Sequence, residues 1–314
     1  MQDEYLRSRG FALTLARRAV GDLRRDRFRQ LRNYLDLCQA LANKSRYSDF
    51  FAQAQQILQR ADSLYDPLIQ TLVEQVEGER LCNFGIDFGV GGMIYGADRL
   101  KKEIECTGAP AAWLNTANGT VPGLEQAVCR AEEAGKYVWV LYAADAASAA
   151  NVAVLAKNHP FSAFSLVAPS AVFGAMPFDA FDNCWNLSLW VLLPSLALDV
   201  QTCAVAEKLK EKKLLYGFAA LVGNETAAQA VDPQWLESVS RWVPFCMYAR
   251  EPDMGTDVAC RFRQAVLRHR TTSAAPLLLL DWDGDLKAIN SGISAQVVIG
   301  APVGSQAPFP FSRG

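Results

Sequence analysis

The sequence predicts an α/β protein in which a (β/α)8 barrel, or a nearly complete TIM-like barrel, follows an N-terminal helical domain. Two observations support this prediction. The chain has 314 residues, of which 51% are hydrophobic and 20% charged, as in an ordinary globular fold with a large core. After residue 78, short apolar runs alternate with amphipathic stretches at the repeat of a strand, a helix and two loops.

The first 78 residues are expected to be helical. Apolar residues recur there at helical spacing, as in Phe28, Leu31 and Leu35. The pair Asp66-Pro67 is typical of a helix start, because proline is favoured in the first turn. We therefore predict a helical domain over residues 1–78.

The next region, residues 79–290, is predicted to be the barrel. Its eight apolar runs are 81–88, 111–115, 137–142, 163–167, 187–193, 214–221, 244–248 and 276–281. Continuous rather than alternating apolar runs are typical of parallel strands buried on both faces. An open doubly wound sheet is the alternative. Residues 291–314, rich in Gly, Pro and Ser, are expected to form a loose C-terminal extension.

Charge and cysteine usage exclude several classes of protein. The net charge is -2, so we expect neither a nucleic-acid nor a membrane partner. The N-terminus lacks a secretory signal, and the eight cysteines are scattered, which predicts reduced thiols in a cytoplasmic protein. No local CxxC or CxxxC spacing exists, so no metal site is predicted.

Residues 1–46 are an exception to the balanced charge. They hold eleven Lys and Arg against five acids. A basic helical arm can contact nucleic acid or an acidic partner. The interpretation favoured by the sequence is a solvated helix face.

Two groups of residues are candidates for ligand binding. The first is the glycine-rich segment 83–96, expected to be a strand, a turn and a helix, with a tight βα turn as the structural alternative. Glycines there would let backbone amides approach a phosphate or carboxylate. The second group follows the ends of apolar runs, which converge at one end of a barrel. Together the candidates are Asp87, Gly89, Gly91, Gly92, Asn115, Asn118, Glu225, Arg250 and Asp281.

Two other motifs are set aside. Residues 277–286, LLLLDWDGDL, resemble the aspartate motif of haloacid-dehalogenase-like phosphotransferases, but that motif opens its domain and here it stands near the end. We expect a strand running into an Asp-Gly turn instead. His159 precedes Pro160 before a strand, and His269 lies at a basic helix end, so neither histidine is predicted to be catalytic.

Residues 81–290 resemble a radical SAM barrel. The resemblance is carried by NFGIDFGVGG from residue 83, by Asn118-Gly119, by YGFAALVGNET at 216–226 and by Asp283-Gly284. The CxxxCxxC motif that holds the family's iron–sulfur cluster is absent, and residues 89–92 stand in its place. The resemblance therefore implies a degenerate member without a cluster. S-adenosylmethionine enters by resemblance only, and no cofactor is predicted.

The function expected from the sequence is that of a small-molecule-binding or accessory protein, with a small molecule or a protein as partner. One alternative is a hydrolase or lyase that uses Asp87, Glu225 or Asp281 as acid or base. Another is a radical SAM enzyme with a non-standard cluster site. Two carboxylates in a closed pocket at the carboxyl ends of the strands would favour an enzyme. An open or apolar-plugged mouth would favour the binding role.

Overall fold

The computed structural model describes residues 2–23, 64–108, 112–119, 123–273, 275–293 and 301–302. At its centre is an eight-stranded parallel sheet with the order β7-β6-β5-β4-β3-β2-β1-β8. The strands are Leu114–Asn118 (β1), Val138–Tyr142 (β2), Ala163–Pro169 (β3), Leu187–Leu193 (β4), Leu215–Val222 (β5), Phe245–Arg250 (β6), Leu278–Asp281 (β7) and Ala301–Pro302 (β8).

The sheet curls into a half-barrel. Successive strands from β1 to β7 are neighbours, so the chain winds in one direction as it does in a (β/α) barrel. In the described part of the chain, β7 pairs only with β6 and β8 only with β1, so the ring stays open. The prediction of an α/β barrel-like fold is confirmed, whereas the described strands do not form a complete eight-strand barrel.

Helices connect the strands. They are Gln2–Leu23 (α1), Tyr65–Gln75 (α2), Gly78–Ile86 (α3), Ala97–Thr107 (α4), Leu124–Glu133 (α5), Ala146–Asn158 (α6), Ser170–Ala175 (α7), Val200–Glu211 (α8), Ala227–Ala230 (α9), Pro233–Ser240 (α10), Thr256–Thr272 (α11) and Trp282–Ile293 (α12). A π-helix, Asp87–Gly96, joins α3 to α4 without a break. A 3-10 turn covers Phe178–Phe181. No described helix meets the length and hydropathy that a membrane crossing requires.

Seven of the eight predicted apolar runs are strands, and the first one is not. Residues 81–88 belong to α3 and the π-helix, so the predicted strand and glycine-rich turn there are wrong. A short apolar run suits a buried helix as well as a strand, and periodicity cannot separate the two. The glycines allow close packing instead, since a Cβ on Gly91 would meet the Tyr5 hydroxyl and one on Gly92 would meet Val138.

The two faces of the sheet pack against different layers. Strand side chains alternate, so that Trp139 and Leu141 enter one core while Val138 and Val140 enter another. The first core, on what we call the outer face, includes buried side chains of α5, α6, α8, α10 and α11. The second, on the inner face, includes buried side chains of α4 and α12. The inner face is therefore covered by a smaller set of elements.

The C-terminal end differs from expectation, and α12 includes residues 291–293 of the predicted extension. Residues 301–302, predicted to lie in a loose extension, pair with β1, while 303–314 lie outside the described residues. In the N-terminal region α1 and α2 are helical as predicted, and 24–63 lie outside the described residues. The domain boundaries at 78 and 290 stay predictions.

Candidate functional site

A cavity of about 370 Å³ lies between the inner face of the sheet, the α3–π-helix segment and α12. Most of its lining is apolar, and several of the lining side chains are aromatic. Those aromatic side chains are Phe84, Phe88, Trp113, Trp190, Tyr216, Phe245 and Trp282. The volume falls within the range of small-molecule sites, roughly 300–1,000 Å³.

The aromatic walls are held by contacts among themselves. Phe88 meets Trp113 edge to face with ring centroids 5.6 Å apart, and Phe84 stacks on Phe88 at 6.0 Å. On the sheet side, Trp190 and Phe245 are tilted with centroids 6.2 Å apart. Each of these geometries is one that aromatic pairs prefer. The walls are therefore preformed around the cavity.

The cavity lies along the amino-terminal half of the strands. Val138, Ser165, Ser188 and Leu215 line it, and each stands within the first three residues of its strand. Towards the carboxyl ends, α12 turns back over the inner face after β7 and buries Trp282, among other side chains. The mouth at the carboxyl ends is thus covered by the apolar side of α12.

Polar groups at the cavity are few. Ser165 and Ser188 are register partners on β3 and β4, with hydroxyl oxygens 2.8 Å apart. The Trp190 indole Nε1–H donates to the Ser188 oxygen at 3.0 Å. Asp285 reaches the cavity from α12. The serines thus supply neutral hydroxyls, whereas the Asp285 carboxylate is bound to arginines.

The start of α12 is fixed by an aspartate motif. Asp281 Oδ1 accepts from the Gly284 backbone N–H at 3.2 Å, and Asp285 Oδ2 accepts from the Asp281 N–H at 3.0 Å. This reciprocal arrangement works like a capping box. The predicted Asp-Gly turn is therefore wrong, because Asp283 and Gly284 lie in the first turn of a helix.

Three arginines hold these aspartates, and together they form what we call the arginine clamp: Arg250, Arg263 and Arg270. Arg250 donates to Asp281 Oδ2 at 2.6 Å, and Arg263 donates to Asp285 Oδ1 at 2.6 Å. Arg270 pairs with both oxygens of Asp285. Such charge-assisted bonds are the stronger kind, and they attach α12 to β6 and α11.

Protonation in this cluster follows burial and charge. Burial raises the pKa of Asp283, which accepts from the Arg250 backbone N–H at 2.9 Å. Burial also raises the pKa of Asp285, but the hydrogen bonds and charges of Arg270 and Arg263 outweigh it and hold that pKa below its usual range. Asp285 is therefore an ionised partner of the clamp at neutral pH.

Asp87 lies at the opposite end of the sheet from this cluster. Arg9 of α1 donates to both of its carboxylate oxygens, at 2.5 and 2.9 Å, and also to the carbonyl oxygen of Pro160, just before β3. Burial raises the pKa of Asp87 to about 6, against the lowering effect of Arg9. The expectation that Asp87 shares the carboxyl end with the other candidates is wrong, because its segment is helical.

The remaining candidates are dispersed as well. Gly89, Gly91 and Gly92 lie in the π-helix with Asp87, and none has a positive φ, so the tight-turn alternative is also wrong.

Asn115 and Asn118 lie on β1, and Glu225 is exposed after β5. Of all nine candidates, only Arg250 and Asp281 are joined by an ion pair.

Sequence reasoning missed Ser165, Ser188, Arg263, Arg270 and Asp285. Some signals were present. Each serine interrupts an apolar strand, and the two arginines stand seven residues apart on α11, on one helix face. Which face of a doubly buried strand carries the serine cannot be read from the sequence.

Comparisons with known proteins do not assign this site. No protein-family model matches the sequence, and no curated protein matches it significantly.

Proposed function

We propose that this protein binds a small apolar molecule in the cavity inside the half-barrel, and that it acts as a binding or accessory protein. The observation that carries the proposal is the cavity of about 370 Å³ with preformed aromatic walls. Burying apolar ligand surface contributes roughly 25 cal/mol per Å². A preformed site adds to this, because little side-chain freedom is lost on binding.

The carboxylates support binding rather than acid–base chemistry. Asp87 is paired with Arg9 at one end of the sheet, and Asp281 is paired with Arg250 at the other. A general base must reach the proton it removes. The cover of α12 over the carboxyl ends also favours the binding role between the two alternatives left open by the sequence.

The radical SAM resemblance enters this proposal only as a cluster-free barrel. S-adenosylmethionine carries an ammonium, a carboxylate and a sulfonium, and each of these needs polar or charged partners when buried. Around the cavity, Ser165 and Ser188 offer neutral hydroxyls, and Asp285 is already held by two arginines. This lining does not fit S-adenosylmethionine and supports an apolar ligand instead.

A cytoplasmic location belongs to the same proposal. None of the seven cysteines in the described part of the chain is in a disulfide, and Cys82, Cys184 and Cys246 are buried. Free thiols are typical of a reducing compartment. Closure of the barrel and a separate helical domain likewise stay parts of the proposal.

Equilibrium dialysis of the full chain against naphthalene tests the binding function. We expect saturable binding that weakens about tenfold, or 1.4 kcal/mol, in Val140→Phe, because the added ring occupies the cavity. Val140 is buried and lines the cavity. The matched control is Val154→Phe on α6, where the side chain is 56% exposed. Absence of saturable binding, or equal loss in both variants, would refute the proposal.

A further inference from the structure

Two neighbouring serines place their hydroxyl groups in the mostly apolar lining of the cavity. Ser165 and Ser188 stand side by side on β3 and β4, and both line the cavity. Ser188 is 2% exposed and Ser165 is 9% exposed. Hydroxyls this deeply buried are ordinarily fully hydrogen-bonded, so their donors and acceptors can be assigned one by one.

Ser188 has its hydrogen-bonding capacity occupied. An indole N–H can only donate, so the contact from Trp190 at 3.0 Å makes the Ser188 oxygen an acceptor. Its own proton has two acceptors in reach, the Phe164 carbonyl oxygen at 3.4 Å and the Ser165 oxygen at 2.8 Å. Ser188 is therefore satisfied by the protein alone.

Ser165 keeps a free hydrogen-bonding group whichever acceptor the Ser188 proton chooses. If Ser188 donates to Phe164, Ser165 donates to Ser188 and retains lone pairs. If Ser188 donates to Ser165, the Ser165 proton is left over. Among the described residues, the one hydrogen-bond partner of the Ser165 side chain is Ser188. The pair can thus present either an acceptor or a donor to a molecule in the cavity, by rotating two hydroxyls.

The charge around the cavity selects against ionised ligands. Among the described residues that line the cavity, Asp285 is the one charged residue, and its carboxylate is held by Arg263 and Arg270. A ligand carboxylate or ammonium would be buried among aromatic rings without a counter-charge, which is strongly unfavourable. A single neutral oxygen would instead be matched by Ser165.

We propose that Ser165 is the polar anchor of the cavity, and that the ligand is an apolar molecule bearing one neutral oxygen, an alcohol or a ketone. This inference rests on the proposed binding function. The volume of the cavity equals that of about a dozen water molecules, at ~30 Å³ each, and a ligand with about as many non-hydrogen atoms would fit it. Bicyclic molecules such as 1-naphthol and 1-tetralone are therefore suitable probes.

The experiment compares naphthalene, 1-naphthol, 1-tetralone and 1-naphthoate by equilibrium dialysis with the full chain. The measured quantity is the ratio of the naphthalene Kd to the Kd of each oxygen-bearing probe. We expect this ratio for naphthol and tetralone to fall about fivefold in Ser165→Ala, as expected for one hydrogen bond. Ser165→Thr keeps a hydroxyl and is expected to retain the ratio. Circular dichroism of both variants checks that they are folded.

The outcomes separate this inference from the proposed function. Suppose that naphthalene binds but the Kd ratio is unchanged in Ser165→Ala, or falls equally in Ser165→Thr. The role of Ser165 as the polar anchor is then refuted, while the proposed binding function stands. Tightest binding of 1-naphthoate would refute the neutral-oxygen ligand. Failure of naphthalene itself to bind would instead refute the proposed function.

Discussion

The outer and inner faces of the sheet are covered in different ways. On the outer face, the seven helices α5 to α11 bury side chains in one continuous apolar core. On the inner face, the covering elements leave a cavity, and charged groups attach them: Arg9 joins α1 to the π-helix, and the arginine clamp joins α12 to β6 and α11. Apolar packing is non-directional and does not depend on pH, whereas ion pairs depend on both geometry and pH. Changing pH or replacing a charged residue should therefore affect the elements that cover the inner face more than those that cover the outer face.

The two faces are most directly compared by truncating one phenylalanine on each. Phe164 is fully buried on the outer face, and Phe245 is partly buried beside the cavity. We expect Phe164→Ala to lower the free energy of unfolding by about 3–5 kcal/mol, because it opens a new void in a packed core. Phe245→Ala enlarges an existing cavity and should cost about 1–2 kcal/mol. Urea denaturation measures both, and equal losses would contradict the distinction.

Breaking a buried ion pair on the inner side should have the next largest effect. Arg9→Met leaves the Asp87 carboxyl buried without its partner, so we expect a loss of about 3 kcal/mol at neutral pH. Arg17→Met is the matched control, since Arg17 pairs with Glu79 at 2.7 Å from the same helix but both side chains are substantially exposed. Its loss should stay below about 1 kcal/mol.

The Arg9 variant should also respond to pH. The folded-state pKa of Asp87 is raised above its unfolded value, so its contribution to stability is present at low pH and is lost as pH rises through about 6. Removing Arg9 raises that pKa further. The destabilisation should therefore be larger at pH 8 than at pH 5. A loss that shrinks with rising pH would show that Asp87 is not desolvated.

Gly284 tests the attachment of α12. A Cβ there would crowd the Asp281 carboxylate and the Arg263 side chain, so Gly284→Ala should cost about 1–3 kcal/mol. Hydrogen exchange should show that the loss of amide protection is concentrated in residues 282–293. Gly85→Ala in α3 is the control, because a Cβ at that position meets nothing within 4 Å. That variant should be neutral or slightly stabilising. Uniform loss of protection across the sheet would contradict a local attachment.

The smallest effect is expected from a histidine bridge between two outer helices. His159 at the end of α6 contacts Glu132 and Glu125 of α5, each at 3.1 Å. Hydrogen bonding to Glu132 raises the pKa of His159 against the opposing effect of burial. Its contribution is therefore full below the unfolded pKa and is lost as pH rises through the folded pKa.

His159→Gln should weaken this bridge by less than about 1 kcal/mol, because Glu125 is half exposed. The free energies of unfolding of His159→Gln and the unchanged protein should differ measurably at pH 5 and little at pH 8. Denaturation at both pH values measures it. A difference that grows with pH would contradict the protonated bridge.

Most strands could be predicted from the sequence because a parallel strand buried on both faces needs a continuous apolar run. The same rule failed at residues 81–88, where glycines and aromatic residues suit close helix packing equally well. The expected location at the end of a strand was therefore correct for Arg250 and Asp281, which are the last residues of β6 and β7. They were wrong for Asp87, whose strand does not exist.

By itself, the sequence determined the repeating α/β order, the positions of seven strands and the scattering of the cysteines. These features depend on local composition and spacing. The tertiary structure decided three further features: the described strands do not close into a ring, Ser165 lies on the inner face, and Arg9 is buried against Asp87. The reason is physical: both faces of each strand are apolar, and the partner of a buried charge lies far away along the chain, so only packing distinguishes the cavity from the core.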